Sequence, residues 1–125
     1  MTKIIIFAHE NSGKQGNLFL SVIKKRVKNV KIDICRTVET FEQRLTRSQA
    51  DFDREIMVLF VDNETLFTHL YLKKEILQEK RLLFVLPEKT PENISMVHKF
   101  FPRYFTFIDN QYEDLCDVLD NMIAR

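Results

Sequence analysis

Asp62 stands directly after six apolar residues, Ile56-Met57-Val58-Leu59-Phe60-Val61, and His9 and Glu10 stand directly after another apolar run, Ile4 to Ala8. Acids and an imidazole released at the ends of such runs could accept a phosphoryl group or hold a hard cation such as Mg²⁺, which takes carboxylate oxygens and waters. A second candidate lies between them in the chain. The loop Asn11-Ser12-Gly13-Lys14-Gln15-Gly16 holds both glycines of the protein. Ser12, Gly13, Lys14 and Gly16 form an anion-binding candidate there, because a Gly-rich turn onto a helix start can offer backbone N–H groups to a phosphate. Residues 8–15 approximate the phosphate-loop pattern G-x4-G-K-[ST], with Ala8 in place of the first glycine and Gln15 in place of the hydroxyl residue.

The elements that must position these residues follow from hydrophobic spacing. Apolar runs begin near Lys3, Val30, Glu55, Arg81 and Tyr104, a new one about every 25 residues. Between them lie stretches with helical spacing. The first helix is expected over 16–28 with Leu18, Val22, Ile23 and Val27 inward. The second follows a cap at Thr37, with Val38, Phe41 and Leu45 inward. The third spans 64–79 with Leu66, Leu70, Ile76 and Leu77 inward, and Asp62 is expected to cap its start. The fourth, 91–101, starts at Thr90-Pro91 and carries Ile94, Val97 and Phe101. The fifth, 111–124, carries Tyr112, Leu115, Cys116, Leu119, Met122 and Ile123. The strand at 56–61 has no polar residue, so it is buried on both faces, whereas Val30 to Cys35 alternates and suits a sheet edge.

Five strand–helix units imply an α/β fold: a three-layer α/β/α sandwich, (βα)5, with a parallel sheet in the flavodoxin-like order 2-1-3-4-5. A chain of 125 residues reads as a single domain over 1–125. In that order a ligand would sit at the C-terminal ends of the first and third strands, where His9, Glu10 and Asp62 lie. The net charge of +1 supplies no global field to recruit nucleic acid or an anionic membrane. No apolar stretch is long enough to span a bilayer and the N-terminus has no signal-peptide pattern. Cys35 and Cys116 read as buried, reduced thiols of a cytoplasmic protein. Residues 11–32 hold six cations and no acid, and residues 104–124 hold five acids and no base. The first and fifth helices are neighbours in the proposed order, so this polarity is expected to be satisfied within the chain. No aromatic residue interleaves the basic ones, which argues against nucleic acid.

This layout resembles the receiver domains of two-component response regulators over essentially the whole chain. The resemblance implies a signal-transduction role, with Asp62 at the phosphoacceptor position. It also exposes departures. Receivers carry two adjacent acids after the first strand to hold Mg²⁺; here Ala8 and His9 fall there and only Glu10 remains. The fourth strand of a receiver ends in Ser or Thr; here it ends Val85-Leu86-Pro87. The fifth ends in Lys-Pro; here Ile108-Asp109 stand in that place. Phosphoryl transfer to a carboxylate needs cations as charge builds on the transferring oxygens. The expectation is therefore a non-catalytic, receiver-like interaction domain with a degenerate phosphorylation site, no cofactor, and at most a thin Mg²⁺ site of Glu10 and Asp62. Ile5-Ile6-Phe7-Ala8-His9 is also similar to mannose-type phosphotransferase IIA domains, whose phosphohistidine follows the first strand. His9 is thus an alternative phosphoacceptor, and nucleotide or anion binding at the 13–16 loop is a third reading. A flavin is not expected, since the chain has no Trp to stack on it. Receivers dock partners or dimerise through their fourth helix, fifth strand and fifth helix. By that resemblance Met96, Phe100 and Tyr104 are interface candidates for a protein partner or a homodimer.

Overall fold

The computed structural model describes residues 2–48, 55–108 and 111–124, with the side chains of 47 and 48 excepted. Its strands are β1 (Lys3–Ala8), β2 (Lys31–Cys35), β3 (Glu55–Phe60), β4 (Arg81–Leu86) and β5 (Tyr104–Phe107). Its helices are α1 (Gly13–Arg26), α2 (Val38–Ser48), α3 (Glu64–Tyr71), α4 (Lys74–Leu77), α5 (Pro91–His98) and α6 (Glu113–Ala124), with a 3-10 turn at Glu10–Ser12. The strands form one parallel sheet in the order β2-β1-β3-β4-β5, the expected flavodoxin-like order. No described helix is long and apolar enough to cross a membrane.

Side-chain alternation along the strands divides the core into two layers. Ile4, Ile6, Ile56, Val58, Phe60, Leu83 and Val85 pack under α1 and α6. Ile5, Phe7, Met57, Leu59, Leu82, Phe84 and Leu86 pack under α2, α3, α4 and α5. From Ile56 to Phe60 every residue of β3 is fully buried, because parallel crossovers cover both faces of a central strand. Full burial of each such side chain contributes about 1.5–3 kcal/mol. The second layer is rich in rings: Phe7 stacks on Phe41 at 4.8 Å, and Phe100 lies 5.1 Å from Phe84 and 5.9 Å from Phe67.

Four sequence expectations need correcting. First, Ile23 and Val27 are buried as expected, but Phe19 and Leu20 join them in place of Leu18, which is 41% exposed. Phe19 wins the inward place by stacking on Phe60 and meeting Tyr112 edge-on. Second, residues 64–79 form two helices. Leu72 and Lys73 donate to His69 and Leu70 three residues back, so the turn tightens, Leu72 points out and Leu77 is buried. Third, α5 stops at His98. Phe101 takes a left-handed conformation (φ 53°) before Pro102, where a helical backbone is disfavoured. That reversal leaves Phe101 72% exposed and puts Phe100 in the core. Fourth, the cap of α3 is Asn63, whose Oδ1 accepts the Leu66 N–H at 2.8 Å. The expected caps at Thr37 and Thr90 are present, accepting from Thr40 N–H and Asn93 N–H.

The two ends of the sheet differ in charge. At its N-terminal end Glu55 is buried, and Arg44 bridges it (3.3 Å) to Asp33 (3.2 Å), with Lys3 3.9 Å from Asp33. On the outer flank of α6, Arg26 of α1 holds Asp117 at 2.6 Å and Asp120 at 2.7 Å, as the charge polarity of the two helices suggested. The hydrogen bond and charge of Asp120 raise the pKa of the Arg26 guanidinium.

Candidate functional site

The β1–β3 register pairs Ala8 with Phe60, so the chain leaves both strands at the same level. His9 and Asp62 therefore emerge at the same rim of the sheet. Together with Asn11, Val38, Asn63, Thr65, Leu66 and His69 they line a cleft of ≈ 190 Å³. Val38 and Leu66 make its floor apolar, and the remaining residues supply polar groups.

Several polar groups near the rim have internal partners. His9 Nδ1 accepts the Asn11 N–H at 3.0 Å, so the neutral ring carries its proton on Nε2. The His9 carbonyl accepts both the Ser12 N–H (2.9 Å) and the Ser12 hydroxyl (2.6 Å). The Glu10 N–H donates to the Arg36 carbonyl at 2.8 Å, and the Gly13 N–H donates to the Glu10 carbonyl. Gly13 sits at φ 62° and ψ −135°, a backbone region open in practice only to glycine. Gly16 is needed for another reason: a Cβ there would lie 1.8 Å from Ser12 Oγ. The loop is thus a folded 3-10 turn locked onto α1. The N–H groups of residues 10 to 13 are spent within the chain, so the turn does not present them as a cradle for an anion.

Asp62 is half-buried, and its Oδ1 accepts from Asn63 Nδ2 at 2.9 Å. Glu10 is exposed in the 3-10 turn and does not line the cleft with Asp62. No group of three or more His, Cys, Asp or Glu side chains among the described residues could hold a metal ion. Of the two acids expected to form a thin Mg²⁺ site, only Asp62 lines the cleft, and one carboxylate does not fit a Mg²⁺ that wants several oxygens. At the end of β4, Leu86 is buried, and the first hydroxyl beyond it, Thr90, caps α5. At the end of β5, half-buried Ile108 packs on the α1/α6 layer; Asp109 lies outside the described residues.

His69, exposed on α3, also lines this cleft. It lies one helical turn after Thr65, which shares its face of α3. Only the orientation of α3 over β3 reveals this, and no local motif signals it.

The interface candidates separate. Phe100 is fully buried against Phe67, Phe84 and Tyr71 and cannot contact a partner. Met96 is half-buried against the ring-rich layer. Tyr104 is half-buried on the edge strand β5, where burial raises its hydroxyl pKa and Asp114 adds to the rise. Phe101, which the sequence had placed inward, is the exposed ring of this region.

No known family profile matches the chain, and no curated protein is similar to it at a significant level. Among solved structures, the chain is similar to the response regulator receiver domain from Rhodospirillum rubrum. The TM-score is 0.65 at 11% identity, over 95% of this chain and 89% of that one. At that identity the likeness establishes the fold.

Proposed function

We propose that this protein is a receiver-like signalling module that works through protein–protein contacts and no longer through aspartyl phosphorylation. The observation that carries the reading is the composition of the cleft around Asp62. It holds one carboxylate, two imidazoles, two amide side chains and the Thr65 hydroxyl, with no lysine and no second acid among the described residues that line it. A phosphoryl group arriving at Asp62 would meet no cation to offset the charge building on its equatorial oxygens. The amide of Asn63 already occupies one Asp62 oxygen. The buried thiols Cys35 and Cys116, not joined in a disulfide, support a reducing, cytoplasmic setting.

The contact surface we assign to the module is the end of α5 and β5, with exposed Phe101 as its anchor and Met96 and Tyr104 at its margin. A bulky ring held at positive φ costs about 1–2 kcal/mol, which an apolar contact on that ring can offset. The partner is a protein or a second copy of the chain.

Incubation with acetyl phosphate and Mg²⁺ followed by intact mass tests the central claim. The expected result is no mass gain. A single added phosphoryl group that disappears in Asp62→Asn would overturn it, and one that disappears only in His9→Ala would transfer the function to the histidine. The geometry of His9 speaks against the latter: Nδ1 is engaged by Asn11 and Nε2 bears the proton, so neither nitrogen presents a free lone pair. Light scattering on the wild type and Phe101→Asp tests the surface. A dimer that dissociates in the variant is the expected homotypic outcome.

A further inference from the structure

The two flanks of α1 are treated differently. On one, Arg26 is neutralised by Asp117 and Asp120 of α6. The other looks toward β2, the edge strand of the described sheet. Ile32 and Ile34 of β2 are only half-buried there, so the edge is not closed over. The result is a groove of ≈ 390 Å³ lined by Asn17, Leu20, Ser21, Lys24, Lys25 and Arg36. Its three cations face no acid on the helix, since residues 11–32 contain none. Among the described residues, none of the three is in an ion pair.

Arg36 is the informative member. Its backbone is fixed, because its carbonyl accepts the Glu10 N–H at 2.8 Å. Its side chain is under-satisfied: Nη1 and Nη2 share one neutral acceptor, Asn17 Oδ1, at 3.4 and 3.3 Å, and Nε is buried without a partner. A guanidinium presents a fork of donors matched to two oxygens of one anion. Here that fork is held in place and given a single distant amide oxygen. Ser21 adds a hydroxyl one turn along the same face as Asn17, and Lys24 and Lys25 add charge one turn further. Asn17 lies in the second turn of α1, so an anion on Arg36 sits well away from the negative C-terminal end of the helix dipole.

We propose that this groove is a binding site for a phosphomonoester dianion, with the Arg36 fork on two phosphate oxygens, Ser21 donating to one of them, and Lys24 and Lys25 closing over the charge. Its volume falls in the range of small-ligand sites. The groove contains no aromatic residue on which a base could stack, which favours an isolated phosphoryl group over a nucleic-acid strand. The site is separate from the Asp62 cleft and does not depend on how that cleft functions.

The test is a ¹H–¹⁵N NMR titration of the full chain with inorganic phosphate, glycerol 3-phosphate, a phosphoserine tetrapeptide and a single-stranded oligothymidylate, each at fixed ionic strength. The proposal expects saturable shifts at Asn17, Ser21 and Arg36 with the monoesters. Arg36→Gln should weaken binding about tenfold or more. Lys24→Ala and Lys25→Ala, on exposed side chains that the fold does not need, should each weaken it about threefold. Stronger binding of the tetrapeptide than of glycerol phosphate assigns a phosphorylated protein as the source, and equal binding assigns a small metabolite. Shifts that chloride reproduces, undiminished binding in both lysine variants and Arg36→Gln, or saturable binding of the oligonucleotide alone would each overturn it.

Discussion

β3 begins and ends beside an acid, and the two are built in opposite ways. Glu55 opens the strand, is buried, and is clamped by Arg44 in a cluster that includes Asp33 and Lys3. Asp62 follows the strand at its other end, is half exposed, and meets only the amide of Asn63. An acid that serves the fold is desolvated and given a cation. An acid that serves chemistry on a phosphoryl group needs cations too, but ones left accessible to substrate. Asp62 has neither arrangement among the described residues, and the proposed loss of aspartyl phosphorylation rests on that difference.

Breaking the pair at the N-terminal end should have the largest effect. Arg44→Ala leaves the Glu55 carboxylate buried without its cation, and urea denaturation should show a loss of about 3 kcal/mol. At the opposite end the tightest spot is the turn before α1. Gly16→Ala forces a methyl onto Ser12 Oγ and should cost about 2 kcal/mol, recovered in large part by adding Ser12→Gly. Asn63→Ala removes the cap of α3 and should cost about 1 kcal/mol. Asp62→Ala should change stability by less than about 0.5 kcal/mol in the same assay. A loss at Asp62 as large as that at Arg44 would mean the two acids are equivalent structural members and would erase the contrast.

The sheet was legible because period-two alternation and unbroken apolar runs report burial directly. The order of strands followed from β2 being the one run with regular polar positions. What could not be read was the choice between adjacent residues of equal chemistry. Phe100 and Phe101 have the same side chain, and only the left-handed turn at Phe101 decides which one is buried. Leu18 and Phe19 compete for one inward direction, and the rings of Phe60 and Tyr112 decide it. Asp62 and Asn63 are both competent caps, and the helix takes the second. The candidate site was half legible: His9 and Asp62 were found from strand ends, whereas His69 enters only through the tertiary placement of α3. In the Gly-rich loop the sequence shows the glycines but not the acceptors that take up the N–H groups of residues 10 to 13.

The division of the core into two layers also separates the two cysteines. Cys35 lies with the ring-rich layer of α2 to α5, and Cys116 with the layer of α1 and α6. The sheet stands between them as an insulating wall, so the two sulfurs cannot meet to be joined in a disulfide while it is intact. Burial raises the Cys116 pKa and keeps that thiol in its unreactive, protonated form. Each sulfur is therefore a timer for the opening of its own layer: the order in which a thiol reagent marks the two gives the order in which the two halves of the molecule come apart.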